Sequence, residues 1–150
     1  MSVVIETVGD VDEELVKAFG RLLPQLSRSA PALDSAALRS LAAWPGNRLL
    51  VARVDGVVLG TLTLVLFPIP TGLRAWIEDV VVDEAARGRG VGAALTREAL
   101  RLAGEAGART VDLTSRPSRA AANRLYERLG FQLRDSKVYR FAGAGRTPKE

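Results

Sequence analysis

The stretch Ile77-Glu78-Asp79-Val80-Val81-Val82-Asp83-Glu84-Ala85-Ala86-Arg87-Gly88-Arg89-Gly90-Val91-Gly92-Ala93 decides how this chain is read. Its first six residues, β-branched toward their end, predict a strand. After the glycines, Val91, Ala94, Leu95, Ala99, Leu102 and Ala103 recur at helical spacing. A strand therefore passes into a helix through glycines at 88, 90 and 92. The first N–H groups of a helix have no partner within it and carry about half a positive charge, so such a helix start binds phosphate without a dedicated side chain. Glycine admits a ligand close to the backbone, and Arg87 and Arg89 add two permanent cations at the same point. A plain turn needs neither three alternate glycines nor two arginines, so the pattern points to an anion site.

Outward from this turn, the rest of the chain falls into short elements. Residues 3–8 predict a first strand. Asp10 opens a helix carried by Leu15, Phe19, Leu22, Leu23 and Leu26, which Pro24 is expected to kink or shorten. Asp34 or Ser35 caps a second helix through about Trp44, ended by Pro45-Gly46. Residues 49–54 and 57–67 are β-rich runs on either side of Asp55-Gly56, a strong hairpin signal. Residues 68–72 read as a loop and 73–82 as a fourth strand. Beyond the glycine turn, the helix stops near 104–107 and residues 110–114 predict a short strand. Pro117-Ser118 then enters a helix to Leu129 with Gly130 as its C-terminal cap. Residues 131–133 and 138–141 predict two closing strands. The order is β-α-α-β-β-β-α-β-α-β-β, a mixed α/β sheet in one domain over residues 1–150, with 142–150 a flexible tail.

Composition shortens the menu of mechanisms. The 150 residues contain no cysteine and no histidine, so thiolate nucleophiles, Ser-His-Asp triads and histidine- or thiolate-ligated metals are excluded. Acid–base work falls to Asp, Glu, Tyr, Lys, Arg or water, and no metal is expected. The N-terminus lacks a basic region followed by an apolar stretch, and the chain reads as cytoplasmic. The apolar run 57–69 falls short of the ~20 residues that cross a bilayer, so no membrane partner is expected. The net charge of +4 comes from scattered arginines without interleaved aromatics, which favours a solvated surface over nucleic-acid binding.

Residues 88–93 also satisfy the G-x-G-x-x-G/A dinucleotide pattern, with Asp112 downstream for a ribose contact. A dinucleotide fold places the first glycine almost directly after its strand, whereas Asp83 to Arg87 intervene here. The motif also normally opens a domain, and here two helices and a hairpin precede it. The same residues resemble the R/Q-x-x-G-x-G/A signature of the GNAT acetyltransferases, preceded as in that family by a β-branched strand. Asn123-Arg124-Leu125-Tyr126-Glu127-Arg128-Leu129-Gly130-Phe131 resembles the family's late helix, N-x-x-(Y/F)-(Y/E)-(K/R)-x-G-F. The resemblance covers residues 3–141. It implies the GNAT (acyl-CoA N-acyltransferase) fold, a mixed, mostly antiparallel sheet of about seven strands with about four helices, and transfer of an acetyl group from acetyl-CoA to a primary amine of a small molecule or peptide.

By the resemblance, backbone N–H groups of Arg87, Gly88, Arg89, Gly90, Val91, Gly92 and Ala93 would cradle the CoA pyrophosphate. Val80, Val81 and Val82 would pair with the pantetheine arm at a β-bulge. Asn123 and Arg128, which hold the helix motif's polar and basic positions, would serve the cofactor, and Tyr126 would sit by the thioester sulfur as general acid. Helical spacing independently puts Asn123 and Tyr126 on one face, next to an apolar face of Ala122, Leu125 and Leu129. An alkyl amine with pKa ~10 is only about a thousandth neutral at pH 7, so a base is required. Glu78 and Asp79 are the candidates, Glu78 by its longer reach; the competing reading pairs one of them with Arg74 or another arginine, doing no chemistry. The run 78–82 is also similar to the corresponding stretch of glucosamine-6-phosphate N-acetyltransferases. A non-catalytic CoA-binding or regulatory module is the alternative on the same fold, with nucleotide or nucleic-acid binding behind it. Phe67, Ile69 and Trp76 form an apolar set suited to a homodimer.

Overall fold

The computed structural model describes residues 2–143. The chain runs β1 (Val3–Thr7), α1 (Glu13–Leu26), α2 (Ser35–Ala43), β2 (Asn47–Val54), β3 (Val57–Ile69), β4 (Gly72–Val82), a 3-10 turn (Glu84–Ala86), α3 (Val91–Glu105), β5 (Val111–Asp112) and α4 (Ala120–Arg128). Side-chain caps start α1 and α2, at Asp12 rather than the expected Asp10 and at Asp34 as expected, while α4 begins at Ala120 after Arg119 rather than at Pro117-Ser118. The Asp12 carboxylate accepts from the Leu15 N–H at 2.8 Å, and Asp34 accepts from Ala37 at 2.8 Å. Asp55 and Gly56 both take positive φ, 50° and 86°, as a two-residue hairpin turn requires. Pro24 neither ends nor shortens α1: the helix continues to Leu26, and the N–H of Ser27 still reaches the Leu23 carbonyl at 2.9 Å.

The strands form one sheet in the order β1-β2-β3-β4-β5, antiparallel from β1 to β4, with β5 parallel to β4. Helices cover both faces. Leu50, Ala52, Leu62, Leu64, Ala75 and Ile77 pack with Val91, Leu95 and Ala99 of α3. Leu49, Val51, Val58 and Val81 pack with Leu15, Phe19 and Leu22 of α1 and Leu38 of α2. β2 is therefore apolar on both sides, which is why it reads as a continuous run rather than an alternation. Two bulges tune the sheet. The register slips by one residue in β3 between Val58 and Gly60, and by one in β4 between Glu78 and Val81. Each slip reverses the alternation, so Ile77 faces α3 while Val81 faces α1. Gly60 is needed where α3 crosses: a Cβ there would lie 3.0 Å from Val91 Cγ1 and 3.2 Å from Leu95 Cδ1.

Among the described residues the sheet has five strands rather than about seven. Residues 131–133 and 138–141 form no strand, and residues 132–143 are exposed throughout. The tail expected from 142 lies outside the described residues from 144 onward. Among the described residues no helix is long and apolar enough to cross a membrane.

Candidate active site

The pairing of β4 with β5 is short, Ala75 with Val111 and Trp76 with Asp112, and then the strands part. Beyond Trp76 the outer edge of β4 has no strand partner among the described residues, which leaves its backbone groups open to an extended ligand. A cleft of about 150 Å³ occupies the opening. Ile77, Glu78, Asp79 and Val80 form one wall and Leu113 and Thr114 the other, with Leu26, Arg119 and Tyr126 completing it. The bulge places Asp79 at φ 51°, a left-handed conformation uncommon for a residue with a Cβ, so the β4 backbone is bent where it faces the cleft.

At the end of this edge stands the glycine turn. Gly88 and Gly90 have φ 79° and 77°, and nothing lies within 4 Å of a Cβ built on either, so the space in front of them is open. Gly90 caps α3 without a side-chain hydrogen bond, and the first helical bond runs from Ala94 to Gly90. Among the described residues the N–H groups of residues 88–93 have no backbone acceptor. The Arg87 N–H differs: it donates to the Glu84 carbonyl at 3.3 Å and is not among the free donors. The Arg87 guanidinium lies 4.0 Å from Glu84, while Arg89 is exposed.

Glu78 accepts a 2.6 Å hydrogen bond from Trp76 Nε1. Arg74 bonds the hydroxyls of Thr110 and Thr71 instead of either carboxylate, so it does not neutralise the acidic pair. Tyr126 is buried, its ring edge-on to Phe131 at 5.7 Å, and its hydroxyl has no partner among the described residues. Burial raises its pKa, and the positive charge of Arg119 works against that rise. Two expected residues stand apart. Asn123 donates from Nδ2 to the Arg116 carbonyl at 3.1 Å, tying α4 to its preceding loop, and it does not line the cleft. Arg128 is exposed in the last turn of α4, two residues and about 200° around the helix from Tyr126. Arg119, not singled out from the sequence, does line the cleft; its spacing of seven from Tyr126 marks the same helix face. Leu26 reaches the cleft from α1, which no local pattern signals. A larger apolar hollow of about 550 Å³ beside α2, lined by Leu33, Leu41 and Trp44, holds no titratable side chain.

The sequence profile of the acetyltransferase (GNAT) family matches residues 13–131, most of the chain and both motifs. The chain belongs to the GNAT acetyltransferase family. The GNAT fold recurs in solved structures. A transcriptional regulator from Bacillus halodurans C-125 is 26% identical, with a TM-score of 0.78 over 93% of this chain and 99% of that one. A Trypanosoma brucei acetyltransferase is 25% identical, with a TM-score of 0.75 over the same shares. The glucosamine-6-phosphate N-acetyltransferase of Arabidopsis thaliana, 16% identical with a TM-score of 0.76 over 95% of this chain and 100% of that one, shares the fold. No curated protein matches the sequence. In this GNAT chain the acidic pair and Tyr126 line the cleft where β4 and β5 part, and β4 leads along the chain through Asp83 to Arg87 into the glycine turn at the start of α3.

Proposed function

We propose that this enzyme transfers the acetyl group of acetyl-CoA to a primary amine of a small molecule or peptide, by direct attack in a ternary complex. The observation that carries the reading is the continuity just described. An open strand edge at residues 77–82 runs from the acidic pair and Tyr126 to a glycine turn whose amides at 88–93 lack acceptors. The shape fits an extended thioester ended by a diphosphate. The phosphates lie on the amides and Arg89, and the pantetheine arm adds to the β4 edge. Bound acetyl-CoA supplies the electrophilic carbonyl and a thiolate leaving group. Glu78 or Asp79, directly or through water, takes the proton that the ammonium form of the acceptor must lose. The N–H of Val80 faces the charge that develops on the carbonyl oxygen. The Tyr126 hydroxyl gives its proton to the departing sulfur as the C–N bond replaces the C–S bond, the acylated nitrogen releases its second proton to solvent to leave a neutral amide, and the proton held by the carboxylate restores the phenol through solvent.

The test is a panel of amines, amino sugars, aminoglycosides and peptides incubated with acetyl-CoA, with free thiol read as it forms. Thiol release that requires one acceptor class establishes the reaction and names its substrate. Binding of CoA without thiol release from any acceptor would leave a regulatory CoA-binding module, and no binding would remove the proposal.

A further inference from the structure

The start of β4 and the turn before β5 bring two arginines onto one residue. Arg74 donates from Nη2 to the Thr71 hydroxyl and from Nη1 to the Thr110 hydroxyl, both at 3.0 Å. Arg109 donates from Nη1 to the Thr71 carbonyl at 2.5 Å. The backbone sets Arg109 in place, its N–H bonding the Leu73 carbonyl at 2.9 Å. Its stem then crosses Gly72, where a Cβ would come within 2.6 Å of Arg109 Cδ, so only a residue without a side chain admits it. Two permanent cations are thus held on the two oxygens of Thr71, and every acceptor they use is neutral. Among the described residues neither forms an ion pair, whereas Arg53 and Arg101 each bridge two carboxylates. Glu105, the acid before this turn, is bonded to Arg101. Like charges brought together repel, and each guanidinium has more N–H groups than these bonds use. An anion placed between them would accept from both and offset the repulsion.

We propose that Arg74, Arg109 and Thr71 form a binding site for the phosphate group of a small molecule, at the end of β4 opposite the glycine turn. A phosphate has oxygens enough to meet both guanidinium forks, whereas the two oxygens of a carboxylate match one. The segments that build the site, residues 69–74 and 106–110, carry no charge besides these two arginines. That suits one anionic group rather than a nucleic acid, whose backbone needs a row of cations. Phosphate bound there joins the start of β4 to the start of β5. The two strands are paired in register at only two positions before they part, so the site steadies the cleft wall that Leu113 and Thr114 supply. It does so whether or not the cleft transfers acetyl groups.

The test is a titration of the isotope-labelled full chain with inorganic phosphate in a chloride buffer, followed by its amide resonances. Those of residues 71–75 and 109–111 are expected to shift and saturate. Those of residues 88–93 report separately any phosphate held at the glycine turn. Arg74→Gln and Arg109→Gln are each expected to weaken the first response on the order of tenfold or more and to leave the second unchanged. Arg109→Lys keeps the charge without the fork and is expected to fall between. Spectra without phosphate establish that each variant is folded, and the wild-type titration stands without them. No saturable shift at 71–75 and 109–111 overturns the proposal, as does an unaltered response in both glutamine variants. Acetate saturating these resonances at lower concentration than phosphate overturns it in favour of a carboxylate site. A response to a short oligonucleotide but not to phosphate overturns it in favour of a nucleic-acid contact.

Discussion

Tyr126 is the one phenol that folding takes out of water at the cleft, and no described group satisfies its hydroxyl. Desolvation raises its pKa above the ordinary 10.0, against the opposing charge of Arg119, so the neutral form is favoured in the folded protein. Any stability from keeping that proton is present below the unfolded value near 10 and is lost as pH rises through the folded value. The catalytic counterpart is that Tyr126 stays a proton donor across the neutral and mildly alkaline range. Turnover is therefore expected to rise with pH as the base and amine deprotonate, with no decline due to Tyr126 below pH 10. Tyr126→Phe is expected to lower kcat on the order of 10²-fold while KM for acetyl-CoA changes by no more than about twofold. Steady-state kinetics of the two proteins over pH 6–10 checks both statements; an equal kcat removes Tyr126 from the proton path. Glu78→Gln keeps an acceptor for the Trp76 indole but cannot take a proton. It is expected to cost on the order of 10²-fold in kcat/KM. If Asp79→Asn rather than Glu78→Gln produces that loss, the base is Asp79.

The elements that position these residues depend on close backbone approach and on a break in alternation. α3 can lie against β3 because residue 60 has no side chain. Gly60→Val is expected to force Val91 and Leu95 outward and cost about 1–3 kcal/mol, read as a lower midpoint in urea at an unchanged slope. Much of this architecture was legible in the chain. The hairpin followed from Asp55-Gly56, the caps from Asp34 and the glycines, and the strand-to-helix turn from residues 77–93, because each depends on a few adjacent residues. The bulge in β4 was expected from the family alone, since nothing in Glu78-Asp79-Val80 marks the extra residue; it shows only against the β3 register. The two closing strands were misread because β-propensity at Val138, Tyr139 and Phe141 describes what those residues suit, while pairing depends on which edge they meet. The places of Asn123 and Arg119 relative to the cleft depend on longer-range context for a similar reason. A helix motif says which residues share a face, but the loop before α4 decides that Asn123 bonds Arg116 and that Arg119 turns to the cleft.

For the whole molecule, the cleft is a gap in the sheet, and a ligand that fills it bridges several elements at once. β4, α4, the end of α1 and the wall after β5 all contribute to it, and β5 is paired in register with β4 at just two positions. A thioester bound along the β4 edge with its diphosphate on α3 therefore stabilises the folded chain as a unit. At a concentration of about a hundred times Kd, binding to the native state alone adds about 2.7 kcal/mol. For a chain of this size each kcal/mol moves Tm by roughly 2–4 °C, so acetyl-CoA is expected to raise Tm by roughly 5–10 °C. Gly90→Trp tests where that gain arises. The position has φ 77° and open space before it, so the indole enters the space assigned to the diphosphate, at an intrinsic cost of about 1–2 kcal/mol for the left-handed backbone. The free variant is expected to melt a few degrees lower and to lose the response to acetyl-CoA. Differential scanning calorimetry of both proteins, with and without acetyl-CoA, reads the two effects separately. A variant that keeps the full ligand shift places the phosphates somewhere other than the α3 N-terminus.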